Sequence, residues 1–164
     1  MKYFTKEWCF GKLEDQEYEK IERNYHEYIE RIYDDLSPSL KILVKNINLH
    51  DGIVKTITFF KKEKIFELEG IFGDLDFGYF SLILKYYHVR SFDEDILRDT
   101  FESKKLEILS HEIESQGKNN YSHKMIFDNC KEFEVVFKNL ELRIIDSVSK
   151  SYERVNCKLL IDEN

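Results

Sequence analysis

The chain has 164 residues and a formal net charge of −7, with 42% hydrophobic and 35% charged residues. This length is sufficient for one domain with a sizeable core, and 13 Phe with 10 Tyr exclude the composition of a disordered chain. The acidic balance argues against nucleic acid or an anionic membrane as a partner and permits a basic one.

The N-terminal stretch MKYFTKEWCFGK has no apolar core followed by a small-residue cleavage site, so we expect no signal peptide. No apolar stretch approaches the roughly 20 residues that a membrane-spanning helix needs. The three cysteines, at positions 9, 130 and 157, are odd in number and too widely spaced for a disulfide framework or a zinc site. These features predict a soluble cytoplasmic protein with free thiols.

Residues 13–36 have the spacing of an amphipathic helix. Apolar and aromatic side chains recur every three or four positions, at Tyr18, Ile21, Tyr25, Tyr28, Ile32 and Leu36. Ser37 and Pro38 then suit the N-cap and the first position of a second, shorter helix that ends near Asn46. The single proline of the chain is thus explained as a joint between two helices.

The first predicted helix carries most of the negative charge. Between Glu14 and Leu36 there are nine acidic and three basic residues. Tyrosines mixed with these acids suit a surface that steers a basic partner by charge and anchors it by aromatic contact. The residues predicted to bind that partner are Tyr18, Glu19, Glu22, Tyr25 and Glu27. The alternative is an ordinary solvated helix face.

The stretch His50-Asp51-Gly52 precedes a run of β-branched and aromatic residues. As an acid–base pair, His50 would be a general base oriented by Asp51. Neighbours in an extended chain point to opposite faces, however, so we expect that Asp51 does not orient His50. We interpret the stretch as an Asx-type turn in which Asp51 bonds backbone amides, Gly52 begins a strand and His50 packs on a helix end.

Three antiparallel strands are predicted within residues 53–60, 64–72 and 79–90 from their β-branched and aromatic content. The connection GDLDFG resembles part of a calcium loop in Asp74 and Asp76. It lacks the other ligands of such a loop, and we interpret it as a hairpin turn.

Residues 92–104 predict one or two helical turns, after which the strand pattern resumes. The later strands are predicted within residues 105–115, 122–128 and 132–145. Their alternation changes phase near Lys138-Asn139, which predicts a bulge or a tight turn there. The tail, residues 151–164, fits either a final edge strand or a helix.

Two histidines on neighbouring predicted strands, His111 and His123, could face each other and bind a metal with His50 or Glu112. We favour the interpretation of a polar pair on a solvated sheet face. The sequence has no glycine-rich nucleotide loop, nucleophile elbow or zinc-protease motif. We therefore predict no catalytic activity, no cofactor and no bound metal.

Three segments carry a resemblance to a known family: FTKEW, LHDG and HKMIFDNCKEFEVVFKNLEL. On these segments the whole chain resembles an uncharacterised family of small proteins from low-GC Gram-positive bacteria. The Leu-His-Asp strand start is also similar to that of several immunity-protein families of bacterial toxin systems. Two departures stand out: Cys9 follows Trp8 where an aromatic residue is expected, and Cys130 occupies the place of a turn glycine, so the turn at Asn129 is expected to differ.

These observations predict one α+β domain over residues 1–164. Two helices within about residues 1–48 would pack on a curved, mainly antiparallel sheet of six or seven strands within about residues 49–164. The leading functional hypothesis is a protein-interaction module, immunity-like in kind, that binds a basic partner through the acidic helix. The alternative is a small-molecule-binding or hydrolytic protein with a pocket near His50, His111 and His123.

Overall fold

The computed structural model of the protein describes residues 1–74, 76, 78–101, 105–148 and 158–162. The helices are α1 (Lys6–Cys9), α2 (Asp15–Ile32), α3 (Pro38–Asn46) and α4 (Glu94–Phe101), and a 3-10 turn (Tyr33–Asp35) follows α2. The strands are β1 (Gly52–Phe60), β2 (Ile65–Asp74), β3 (Gly78–Tyr87), β4 (Ser91–Phe92), β5 (Glu107–Ser115), β6 (Tyr121–Phe127), β7 (Glu132–Phe137), β8 (Asn139–Val148) and β9 (Lys158–Asp162). None of the helices in these ranges is both long and apolar enough to cross a membrane.

The two long N-terminal helices begin where their caps place them. Before α2, the backbone N–H of Glu14 donates to the Glu17 carboxylate at 3.2 Å within a capping box. Before α3, the Ser37 hydroxyl accepts from the backbone N–H of Leu40, and Pro38 is the first helical residue. The predicted helix over residues 13–36 is confirmed except at its end, because the chain tightens into the 3-10 turn after Ile32.

The strands form one open sheet in the order β4-β7-β6-β5-β1-β2-β3-β8, and β9 pairs with β1 in parallel. All other pairings are antiparallel. The prediction of an α+β fold with a mainly antiparallel sheet is confirmed. The predicted number of six or seven strands is wrong, because the described residues also form the short strand β4 and the parallel strand β9. Residues 151–157 and 163–164 of the predicted tail lie outside the described residues.

Side chains from distant strands meet because the sheet curls. Tyr86 on β3 and His123 on β6 are four steps apart in the strand order, which in a flat sheet is roughly 19 Å at about 4.8 Å per step. The Tyr86 hydroxyl nevertheless lies 2.7 Å from Nδ1 of His123. The core fills the inside of this curl, and α3 adds the fully buried side chains of Leu40 and Leu43 to it.

Two predicted breaks between strands are confirmed. β2 and β3 pair as far as Asp74 and Gly78, and the N–H of Asp76 donates to Oδ1 of Asp74 at 2.9 Å, so this connection is a hairpin turn. The change of phase lies at Lys138, where the chain leaves its pairing with β6 and begins β8 beside β3. The predicted helical turns after residue 92 are α4, while residues 102–104 lie outside the described residues.

The turn between β6 and β7 has, at Cys130, the left-handed backbone conformation that glycine favours. Cys130 has φ +64°, a left-handed conformation that costs a residue with a Cβ about 1–2 kcal/mol. Its N–H donates to the carbonyl of Phe127 at 2.9 Å, and the Asn129 side chain accepts from the N–H of Lys131 at 3.0 Å. The cysteine is therefore held in a turn of the glycine type by its neighbours.

Candidate functional site

Two tyrosines of α2 hold the helix against the edge of β5. β1 covers only the start of that edge, so the backbone groups farther along it need other partners. The N–H of Ile113 donates to the Tyr25 hydroxyl and the N–H of Ser115 donates to the Tyr28 hydroxyl, each at 2.8 Å. The helix therefore lies along the strand edge, which the prediction of helices packed on the sheet did not specify.

The two tyrosines of the predicted partner surface, Tyr18 and Tyr25, are half-buried. Burial raises the pKa of the Tyr25 hydroxyl, and the Tyr18 hydroxyl donates to the carbonyl of Trp8 at 3.1 Å. The accessible part of the predicted surface is therefore acidic. Its exposed carboxylates are Glu19, Glu22 and Glu27.

A buried carboxylate anchors the N-terminal segment on the other face of β5. Glu112 is fully buried and accepts hydrogen bonds from three successive backbone amides. These are the amides of Lys2, Tyr3 and Phe4, at 2.6, 2.9 and 3.4 Å. Glu112 is thus a structural anchor, a role that the sequence analysis, which named it only as an alternative metal ligand, did not predict.

This anchor brings two aromatic rings of the N-terminal segment next to α2. The Phe4 ring lies 4.9 Å from the Tyr25 ring and 4.7 Å from the Trp8 ring, both in edge contacts. The indole N–H of Trp8 is buried and has no hydrogen-bond partner among the described residues. Cys9, beside Trp8, is half-buried, and burial raises the pKa of its thiol to about 11.

The His50 turn contacts the same edge of β5. Nδ1 of His50 donates to the carbonyl of Leu109, and Nε2 lies 3.3 Å from Oδ1 of Asp51. With Nδ1 donating to Leu109, the ring is oriented by that carbonyl, and Nε2 pairs with Asp51 only when the imidazole is protonated. The assumption of an extended chain at this pair is wrong, because the pair lies in a turn, with Asp51 at φ +56°. The Asx-type hydrogen bond comes from Asn48, whose Oδ1 accepts from the N–H of His50 at 3.0 Å. His50 is exposed and lines a cavity together with Val44 of α3.

His111 and His123 contact each other inside the protein. Nδ1 of His111 lies 3.0 Å from Nε2 of His123, and His123 is fully buried. The interpretation of a polar pair on a solvated face is therefore wrong. Burial lowers the pKa of His111 to about 4, and burial together with the neighbouring His111 lowers the pKa of His123 well below its ordinary value. Both rings are neutral at pH 7.

A third buried group fixes where the protons of this pair lie. Within the described residues, the hydroxyl of the fully buried Tyr86 bonds only to Nδ1 of His123. Accepting there would leave the phenol proton without a partner, so Tyr86 donates. His123 then donates from Nε2 to Nδ1 of His111. His111 consequently carries its own proton on Nε2.

These elements enclose a groove. Two adjoining cavities of about 340 and 330 Å³ lie between the N-terminal segment, α2, α3 and the edge of β5. The walls that both cavities share are Phe4, Glu22, Tyr25 and Val44. His50, Ser110 and His111 line the first cavity, and His26 and Lys45 line the second.

The groove gathers some of the predicted site residues and not others. It brings together Glu22, Tyr25, His50 and His111, and His123 lies behind His111. Tyr18, Glu19, Glu27 and Asp51 do not line it. Sequence reasoning missed Phe4 and Trp8 as site residues, although the segment FTKEW contains both.

Two distant segments of the chain, FTKEW and LHDG, meet at this groove. FTKEW provides Phe4 and Trp8, and LHDG provides His50, while His123 lies behind His111 and does not line the groove. Segments this far apart in the chain converge here because the edge of β5 is their common support. We therefore take the groove as the candidate functional site.

A larger and more open cavity, about 850 Å³, lies beside α4 and β7 and contains several carboxylates. Three of them have internal roles: Asp93 accepts from the N–H of Ile96 at 2.9 Å, Glu94 pairs with Arg98, and Glu132 pairs with the amino group of Met1. We assign no site there, because three of its five carboxylates are engaged internally and an acidic surface alone does not indicate a ligand.

Within the described part of the chain, no three His, Cys, Asp or Glu side chains are grouped as a metal ion would need. Comparisons with protein-family models, with curated proteins and with solved structures find no match. The absence of catalytic activity and of a cofactor stays a prediction.

Proposed function

We propose that the protein is a binding module that recognises a basic protein partner through the groove and the acidic face of α2. The observation that supports this most is the position of Glu22, an exposed carboxylate on a groove with the aromatic walls Phe4, Trp8 and Tyr25. An arginine or lysine side chain can lie against aromatic rings while its charge pairs with a carboxylate. The groove therefore suits a cationic side chain.

The charge of the remaining surface fits the same partner. Glu19 and Glu27 lie on the exposed face of α2 outside the groove, and the chain as a whole has a net charge of −7. Such a field raises the rate of encounter with a basic protein and is screened by salt. An immunity-like inhibitor that covers a basic toxin domain is the form of this function that the family resemblance supports. A toxin-like reading frame next to the gene would add to that support.

The single tryptophan of the chain makes a direct test possible, because Trp8 lies on the groove wall. We would titrate the protein with the pentapeptide acetyl-Thr-Val-Arg-Val-Thr-amide and follow Trp8 fluorescence. The same peptide with citrulline in place of arginine removes only the charge. We expect a saturable fluorescence change with the arginine peptide. The citrulline peptide should bind with at least about tenfold lower affinity.

Two matched variants locate the interaction. Glu22→Gln should weaken arginine-peptide binding severalfold, whereas Glu63→Gln, the same change at an exposed residue of the β1–β2 turn, should leave it unchanged. No saturable fluorescence change, or equal effects of the two variants, would count against the proposed function.

A second candidate function is the binding or hydrolysis of a small molecule. The observation that favours it is the proton on Nε2 of His111, which gives the groove wall a hydrogen-bond donor next to His50. In that case His50→Ala should abolish function, and charge reversal on α2 should not.

A further inference from the structure

The edge of β5 presents backbone groups in a known phase. The N–H of Gln116 donates to the carbonyl of Asn120 at 2.8 Å where the β5–β6 hairpin closes. Residue pairs of an antiparallel ladder alternate between hydrogen-bonded and non-bonded. From the register, Glu112 and Glu114 therefore direct their N–H and C=O groups to β6. Past the irregularity between Ile108 and Ser110, the odd-numbered residues His111, Ile113 and Ser115 direct theirs to the opposite edge.

Most of that edge is already used. The carbonyl of Leu109 accepts from His50, and the N–H groups of Ile113 and Ser115 donate to tyrosines of α2. Between them, the backbone N–H and C=O of His111 point to an edge that β1 does not reach, and among the described residues no backbone hydrogen bond is made to them there. His111 also lines the groove. Unpaired groups on a strand edge are a template for another extended chain.

We propose that an extended segment of the basic partner enters the groove and pairs with β5 at His111. Its carbonyl accepts from the His111 N–H, and its own N–H donates to the His111 carbonyl. This inference rests on the proposed function and states the form in which the partner binds. Main-chain bonds of this kind give affinity, and the side chains, which alternate between two sides, give specificity.

The neighbours of His111 limit what can bind. The His50 side chain occupies the edge on one side and the Tyr25 hydroxyl occupies it on the other. A long intermolecular sheet with a second copy of this chain does not fit between them. A short segment does, with one side chain directed to Glu22 and the aromatic walls. The volumes of about 340 and 330 Å³ suit a few residues.

Amide hydrogen exchange, followed by NMR on the folded protein, tests the edge itself. In the free protein we expect the His111 amide to exchange at least about tenfold faster than that of Glu112, which is bonded to β6. Saturation with the arginine pentapeptide should slow His111 by about tenfold or more and leave Glu112 unchanged. A His111 amide that is already as protected as Glu112 in the free protein would overturn the proposal.

Peptides with single N-methyl groups test the pairing. Methylation of the one peptide amide that faces the His111 carbonyl should weaken binding about tenfold, the value of one good hydrogen bond. Methylation of the adjacent amides, which point away, should change binding less than about twofold. Equal effects at every position would overturn the pairing while arginine recognition stands. If no arginine peptide binds at all, the proposed function fails, and this inference fails with it.

Discussion

The hydroxyl of Tyr86 donates to Nδ1 of His123 at 2.7 Å, although three strands separate β3 from β6 in the sheet. This contact is possible only because the sheet curls. It also decides the hydrogen-bonding character of the groove, because the order of protons that it imposes ends at Nε2 of His111. Tyr86, a residue of the core, thus determines that His111 presents a hydrogen-bond donor to the groove.

Replacement of Tyr86 by Phe should both destabilise the protein and change the tautomers. The Tyr86→Phe variant leaves Nδ1 of His123 buried without its donor, so we expect a loss of about 1–3 kcal/mol in the free energy of unfolding. Urea denaturation measures the loss, and the nitrogen chemical shifts of the imidazole rings should show His111 no longer confined to the Nε2–H form. Tyr87→Phe is the matched control, since its exposed hydroxyl bonds to Glu141 and should cost less than about 0.5 kcal/mol. Unchanged tautomers of His111 and His123 in the Tyr86→Phe variant would contradict the proton order that runs from Tyr86 through His123 to His111.

Stability should fall as the pH drops from about 6.5 toward 4. The folded rings of His111 and His123 stay neutral because burial lowers their pKa, that of His111 to about 4. The unfolded rings bind protons near pH 6.5. The unfolded state therefore binds more protons between these values, and the free energy of unfolding decreases by about 1 kcal/mol per pH unit for each ring.

Urea titrations at pH 7, 6 and 5 measure this slope. His111→Gln should reduce the slope by about half, since one of the two titrating rings is removed. His26→Asn, a change at an exposed residue of α2, should leave it as in the wild type. A wild-type protein equally stable at pH 7 and pH 5 would contradict the prediction.

Gly52→Ala should destabilise the strand start, because a Cβ there has no room. It would lie 2.2 Å from Cδ1 of Phe72 and 2.9 Å from the carbonyl oxygen of Leu49. We expect a loss of about 1–3 kcal/mol. Adding Phe72→Leu should recover part of it, so that the two changes are not additive. Gly78→Ala is the control for backbone strain alone, because Gly78 has a positive φ and a Cβ there would have nothing within 4 Å. If the effects of Gly52→Ala and Phe72→Leu are fully additive, a clash with the Phe72 ring does not cause the destabilisation.

Charge reversal on α2 should distinguish the two candidate functions. With a protein partner captured from the native cell, the reversals Glu19→Lys, Glu22→Lys and Glu27→Lys should slow association by about tenfold at low salt, and the difference should shrink at high salt. Surface plasmon resonance measures the rates, and Glu63→Lys is the control outside α2. If His50→Ala removes function while the reversals do not, the small-molecule candidate is correct. A capture that returns no partner at physiological salt speaks against a binder.

The parts of the fold that depend on local chemistry could be predicted from the sequence. The stripe of α2, the joint at Ser37-Pro38, the hairpin at Asp74 and the break at Lys138 all follow from spacing and turn preferences within a few residues. Three residues of the candidate groove, His50, His111 and Glu22, were also named from the sequence, because their side chains are of types that bind protons or ligands.

The remaining features depend on contacts between distant residues. Nothing near Glu112 in the sequence indicates that its carboxylate binds the amides of residues 2–4, and nothing near Tyr25 indicates that its hydroxyl covers a strand edge. The Asx role given to Asp51 was wrong for a related reason, because the backbone turns at Asp51 and Asn48 supplies the hydrogen bond.

The anchoring of Phe4 by Glu112 has a consequence for the time at which the groove can form during synthesis. The two residues are separated by 108 positions. At roughly 5–20 residues per second, the ribosome therefore needs about 5–20 s after Phe4 to reach Glu112. During that interval Phe4 has no carboxylate to hold its backbone amide against β5. A nascent chain therefore lacks the complete groove until β5 has been synthesised.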